Sequence, residues 1–559
     1  MKRLLSIFVI LCCAATASAQ VSKQVEVSKD YTPTVKSAQK LALIPDMTDT
    51  VKMQPEIDYT ITPRTYTTSL MTQNFQPATI AYWDYKRMRP LYVKAAVGVP
   101  MSSEADAYLS TYNKDRGYAM IYGNHWGDYR NRYNINGDKV KENTSQMSNK
   151  AGGRAGLFVG RHIAEIDIYG DHQMRHRYPT TGAMIGFGEM QGKIRFGDDF
   201  TDLRRWNFNI EAGGGFFSHK SRDFDPKEKF SQSNFDINAA VGKMMGPGHI
   251  LRITAGYSGY YGGKLLDAYQ DNTLSVGMRY GFSGRRTNLI LGADYHYDQV
   301  AHSTESPHYI LPYLRLTWKR HHTEKFVPYV EVDGELKRHD FATMIYENPY
   351  LLATSSFITR ICSSPNEVQY NGRIGIGGNL GKGVFSYNFS ATLSLANDHA
   401  YWYADGANYS FTTAYQHSLR IDGGMKIRPA GWFEAELTAG VYAWENYGNY
   451  YANRPNVEAA LDLRVITNEL KIGINFGYAG GIKWMTFAEG FDDAGKPFKN
   501  FGYTTTDNVF SLGLTAEWRV CERLAVFAEG RNLTGSTIYE WLHYYKNTPQ
   551  GLIGIKMTF

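Results

Sequence analysis

The sequence predicts an all-β fold, a transmembrane antiparallel β-barrel of about 22 strands with a short extended N-terminal segment. Three observations predict it. Segments of about ten residues alternate apolar and polar side chains again and again from residue 90 to the end, the pattern of a wall with lipid on one face and water on the other. The chain of 559 residues carries 41 Tyr, 28 Phe, 10 Trp and 54 Gly at a mean hydropathy of only −0.40. After residue 20 no run of about 18 apolar residues is long enough to cross a bilayer as a helix, whereas alternation hides a barrel's hydrophobicity from any average.

The chain opens with Lys2 and Arg3, an apolar run from Leu4 to Cys13, and Ala17-Ser18-Ala19. This is the plan of an export signal, with cleavage expected before Gln20. Residues 20–78 include the stretch 21–68, which holds Pro33, Pro45, Pro55 and Pro63, no Gly, and no sustained period. They are expected to be extended, either hanging in the periplasm or folded into the lumen, and able to dock a periplasmic protein by strand pairing. The barrel is expected over 79–559, with its first strand near Tyr92 to Val99.

Ten short connections punctuate the alternating text, at 113–117, 160–164, 198–204, 244–249, 283–287, 320–325, 380–382, 428–431, 467–469 and 519–523. Longer stretches separate them, at 130–148, 173–181, 218–231, 261–270, 299–308, 339–366, 397–408, 445–456, 488–507 and 535–549, and one at 100–104 is no longer than a turn. Short turns on the periplasmic rim and long loops on the outer rim are what an outer-membrane barrel requires, and the count closes on an even number of strands.

Individual strands show the two faces. Phe510, Leu512, Leu514, Ala516, Trp518 and Val520 lie opposite Ser511, Gly513, Thr515, Glu517 and Arg519. In the last strand Ile553, Ile555, Met557 and Phe559 share one face, while Leu552, Gly554, Lys556 and Thr558 share the other. The inward charges Glu434, Glu436, Glu458, Asp462, Arg464, Glu517 and Arg519 are expected to pair across strands or with lumenal water.

The terminal strand ending at Phe559 resembles the signal by which outer-membrane barrels are recognised by the barrel-assembly machinery, and it makes that machinery and outer-membrane lipid expected partners. With the run Arg531-Asn532-Leu533-Thr534-Gly535 and the barrel's size, the chain resembles TonB-dependent receptors over residues 80–559. It departs from them in having too little chain between Gln20 and Ala78 for a globular plug, and looks like the plugless receptor-like barrels of the Bacteroidota. The resemblance implies uptake or passage of a solute. An accessory subunit of an outer-membrane assembly or secretion complex is the alternative, with residues 20–78 as its docking arm. Asp30 to Val35 is a weak match to a TonB box.

Chemical motifs are sparse, and no enzyme or cofactor is predicted. Gly256-Tyr257-Ser258-Gly259 lacks the spacing of a nucleophile elbow. His321 and His322 fall in a basic turn, and Asp171, His172 and His176 cluster at a strand end, where a hydrated rim competes with a divalent metal. A net charge of +6 spread along the chain leaves no nucleic-acid footprint. Cys362 is expected in an outer loop and Cys521 at a periplasmic turn, too far apart to bridge. Candidate ligand contacts are the loop aromatics Tyr401, Trp402, Tyr403, Trp444, Tyr447, Tyr450, Tyr451, Tyr539, Trp541, Tyr544 and Tyr545. They stack on flat apolar or sugar ligands in one reading and form the interfacial girdle in the other.

Overall fold

The computed structural model describes residues 90–111, 116–132, 138–140, 144–179, 182–221, 229–301, 303, 307–319, 324–352, 355–446, 450–491, 497–547 and 549–559. The expected signal, the segment 20–78, His321 and His322 lie outside the described residues.

Twenty-two antiparallel strands form one closed wall. Each pairs with its sequence neighbour, and the ring closes where Leu91–Val99 pairs with Gln550–Thr558 in the register Val93↔Met557, Ala95↔Ile555 and Val97↔Ile553. Closure removes the free sheet edges, the condition for a β-structure to cross a bilayer.

The alternating pattern sorts the side chains as expected. Val97, Ile121, Ile194, Val441, Phe510, Trp518 and Ile553 are each more than half exposed on the outside, forming an apolar band for lipid. A closed barrel with such a band belongs to the outer membrane. Inside, ion pairs run from strand to strand. Glu517 accepts from Lys471 at 3.0 Å and from Lys556, and Glu104 is held by Lys94 at 2.9 Å and by Arg531. Lys426, Arg428 and Arg464 converge on Glu434 at 2.9, 2.8 and 3.3 Å. Asp462 accepts from Asn475 at 2.7 Å and Glu458 from Tyr442 at 3.3 Å.

The connections alternate between one rim of short turns and one of long excursions, at nearly the expected places. Four expected loops carry more order than foreseen, the last of them, 535–549, holding a small hairpin of Ile538–Trp541 with Tyr544–Asn547. The stretch 397–408 is not a loop: strands Phe385–Asp405 and Asn408–Ala430 pair to their tips and turn through Gly406, whose φ of +61° lies where glycine is favoured. The stretch expected at 488–507 belongs to a hairpin of Lys483–Phe491 with Pro497–Thr505, tied to the wall at one residue pair, Ala404↔Thr486. The excursion after Val327–Lys337 contains two helices, α1 (Phe341–Glu347) and α2 (Ser355–Ser363).

The packed hydrophobic core lies at the long-loop rim. Tyr178, Phe187, Phe217, Phe230, Leu266 and Tyr269 from one arc of the rim join Phe341, Met344, Ile345, Phe357 and Ile361 of the helices. Trp402, Tyr409, Phe411, Trp484, Leu542 and Tyr544 complete the same cluster. Cys362 is buried there and Cys521 is exposed at a short turn, and both are free thiols.

The ladder makes a testable demand. Replacing Glu434 by Gln removes the carboxylate on which three cations converge, leaving Lys426 only its longer contact with Glu436, and is expected to lower stability by about 1–3 kcal/mol, read from the urea midpoint of the refolded barrel. Glu436→Gln, whose contact with Lys426 is 3.7 Å, is expected to shift it far less.

Candidate functional site: the capped outer mouth

The feature best placed to control traffic is the cap formed by the two-helix insert. Its sequence has a helical start: Asp340 is the N-cap, accepting from the Thr343 amide at 3.1 Å, and Phe341, Met344 and Ile345 follow at the i, i+3, i+4 spacing that makes one apolar face.

The insert is anchored by polar groups where it leaves and rejoins the wall. Arg338 donates to Asp271 at 2.7 Å and to Ser258 and Thr273 at 2.6 Å each, and its guanidinium lies 4.5 Å from the Tyr260 ring. Burial opposes its charge, but Asp271, Tyr260 and Asp298 outweigh burial and hold its pKa above the ordinary value. Asn366, at the other end, donates to Asp271 at 3.0 Å and Asp298 at 2.9 Å. Gln232 donates to Asp340 at 2.6 Å. The Ser258 of the expected non-elbow is thus a hydrogen-bond partner inside a strand.

The far end of the insert is clasped across the mouth. Arg177, fully buried, donates to the carbonyls of Tyr350 and Leu351 at 2.6 Å each. The Tyr350 ring stacks on Tyr544 at 3.5 Å between centroids, and its hydroxyl bridges Gln146 and Glu540 at 3.1 Å each. Tyr544 donates to the Ala407 carbonyl at 2.9 Å and Tyr409 to the Leu542 carbonyl at 3.1 Å. Arg132 reaches the Tyr545 carbonyl at 3.1 Å, and the Tyr545 amide donates to Tyr178. Burial pushes the Tyr178 phenol up to about 12 and those of Tyr269 and Tyr350 well above the ordinary value. They stay neutral, and Tyr350 remains a donor at physiological pH. These contacts join loops from distant parts of the ring, and the insert crosses over the lumen.

The candidate aromatics mostly converge here. Tyr401, Trp402 and Tyr544 are buried, and Trp402 and Tyr409 pack against Trp541 at 5.8 and 5.1 Å. Tyr450 packs between Tyr401 and Phe501 at 5.3 and 5.5 Å. Tyr403 lies 5.2 Å from Phe501, Tyr451 4.6 Å from Tyr503, and Tyr539 5.1 Å from Tyr545. Trp444 sits on a wall strand beside Tyr442, 5.8 Å away with rings nearly parallel, and Tyr447 lies outside the described residues. Tyr401, Trp402 and Tyr403 are on a strand extension rather than in a loop.

Among the described residues no group of three or more His, Cys, Asp or Glu is placed to hold a metal. Asp171 instead accepts from the Tyr346 hydroxyl, and His176 meets the Ser145 carbonyl at 2.6 Å. Arg177, Tyr350 and Arg338 were not foreseen from the sequence. The N-cap and apolar spacing at 340–345 were the available signal.

Set beside solved structures, this architecture has clear counterparts. The siderophore receptor PirA from Acinetobacter baumannii matches with a TM-score of 0.65 at 12% identity, over 85% of this chain and 81% of that one. The FrpB iron transporter from Neisseria meningitidis (F3-3 variant) matches at 0.64 and 11%, over 85% and 82%. The pyoverdine outer membrane receptor FpvA from Pseudomonas aeruginosa PAO1, bound to pyoverdine, matches at 0.60 and 10%, over 85% and 79%. The chain shares their barrel fold. At this identity the likeness is one of fold, and it agrees with the resemblance to TonB-dependent receptors carried by the C-terminal residues. No protein-family model matches the chain, and no curated protein matches it in sequence.

The anchor is expected to be costly to break. Arg338→Ala leaves Asp271, fully buried, without its cation and should destabilise the protein by about 3 kcal/mol or more, with Arg338→Lys recovering part of the loss in the same denaturant titration.

Proposed function

We propose that this protein mediates passage of a solute across the outer membrane, as a TonB-dependent receptor-like barrel without a separate globular plug. The observation that carries the reading is a closed wall of receptor size around a polar, charge-paired lumen. The fold likeness to a siderophore receptor and an iron transporter supports it. Residues 20–78 are the periplasmic or lumenal element, able to restrict the lumen or to dock a periplasmic protein. Lipid covers the apolar band, and the terminal strand ending at Phe559 addresses the barrel-assembly machinery. No catalytic role is proposed.

Ligand contact falls to the half-buried aromatics Tyr403, Tyr450, Tyr451, Trp541 and Tyr545, whose rings keep a solvent-facing part. Tyr401, Trp402 and Tyr544 are too deeply packed to touch a solute while the cap is in place.

One observation favours the accessory-subunit reading instead: an outer mouth crossed by a packed insert suits a barrel whose partners approach from the periplasm. Single-channel recording separates the two. The full mature chain is expected to be silent or nearly so, and a variant lacking residues 20–78 to show discrete openings in planar bilayers. Silence from both, together with a second protein co-purifying in stoichiometric amount in mild detergent, would establish the subunit.

A further inference from the structure

We infer that α1 and α2 form a lid over the outer mouth, clasped by Arg177 and the Tyr350–Tyr544 stack, which opens by releasing that clasp while the Arg338–Asn366 anchor holds. This goes beyond the passage reading and rests on it only for its purpose, since a lid matters where something crosses.

The two ends of the insert are built differently. The anchor is ionic and redundant: Arg338 and Asn366 reach Asp271 from opposite ends of the insert, and Asn366 also reaches Asp298. It joins the insert to the wall strands from which it grows. The clasp joins it to distant loops through main-chain acceptors, a ring stack and the Tyr350 hydroxyl, which donates to Glu540. Opening hydrates the carbonyls of Tyr350 and Leu351 and the Arg177 guanidinium, and Asp171 and Glu540, which accept from Tyr346 and Tyr350 in the packed state, exchange a hydroxyl donor for water rather than losing a cation.

The packed state also leaves polar atoms unsatisfied in and beside the cluster the lid packs into. Neither ring nitrogen of His219 has a hydrogen-bond partner, although the ring is buried between Phe230 and Phe341, at 5.9 and 5.6 Å. Asn348, at the end of α1, and Trp402, in the same packed cluster, are buried with their Nδ2 and Nε1 unpartnered. Buried donors without partners raise the energy of the packed state, and opening to water relieves them. Apolar burial pulls the lid shut and polar burial pushes it open, the opposition from which two-state elements are built.

A native reporter lies in the lid. Cys362 on α2 is 5% exposed, and burial raises the pKa of its thiol, so alkylation requires opening. The full chain in outer-membrane vesicles is treated with a membrane-impermeant maleimide, and modification of Cys362 is followed by peptide mapping, with the exposed Cys521 as internal standard in detergent. Arg177→Ala and Tyr544→Ala are each expected to speed Cys362 labelling by about tenfold or more, with barrels that still show heat-modifiable migration. Labelling of Cys362 in both folded variants within twofold of the unaltered protein would make the insert a fixed part of the rim and overturn the lid. The labelling needs no transport, so it tests the lid even where channel recordings speak against passage.

Discussion

The whole structure depends on one requirement, that every backbone donor and acceptor at membrane depth finds a partner within the protein. A sheet meets it only by closing, and here the closure is the pairing of the first described strand with the last, eight consecutive residue pairs from Tyr92↔Thr558 to Val99↔Gly551. The terminal strand also alternates between the two faces. Ile553 and Ile555 face lipid, while Lys556 reaches inward to Glu517. The seam that completes the hydrogen bonding thus belongs equally to the outer apolar band and to the inner ionic ladder.

Closure inverts the usual distribution of hydrophobic residues. Along the wall the large apolar side chains are the exposed ones, and the interior is lined by ion pairs and amides. Among the described residues the wall itself holds a small cluster of Ala96, Phe527 and Leu552, and the extensive core, with rings packed on rings away from water and lipid alike, lies where the chain leaves the wall at the long-loop rim. There the insert of α1 and α2, the tips of two long strands and the last hairpin bury their aromatics together. The loops of such a barrel are held by the same packing forces as a small globular domain.

That cap combines tightness with unmet polarity. Arg177 is fully buried yet bonded to two carbonyls, whereas His219 is fully buried with neither nitrogen bonded. The first fixes where the insert lies. The second keeps the packed arrangement from being as deep a minimum as its apolar contacts alone would make it. An assembly so balanced over the mouth of a polar lumen unites the passage proposed for the barrel with the closed mouth that favours the alternative.

The wall was legible in the sequence because its signal is local: a strand between lipid and water must alternate, and alternation fixes the face of Phe510, Glu517, Trp518 or Lys556 without reference to any neighbour. Turn positions followed for the same reason, since the alternation stops where the strand stops. The cap was not legible. Tyr401, Trp402, Tyr544 and Tyr545 stood out as aromatics near the outer rim, but whether such rings face a ligand, lipid or one another depends on which loops meet, and those loops are separated by up to several hundred residues. Arg177 looked like any rim arginine until the fold brought the carbonyls of Tyr350 and Leu351 to it. Asp340 and Phe341 carried a helix start that the reading of 339–366 as a plain loop passed over. Sequence alone determined the barrel, its faces and its punctuation, because short-range periodicity encodes them. Only the tertiary structure decided what covers the mouth, because that is set by contacts between residues far apart in the chain.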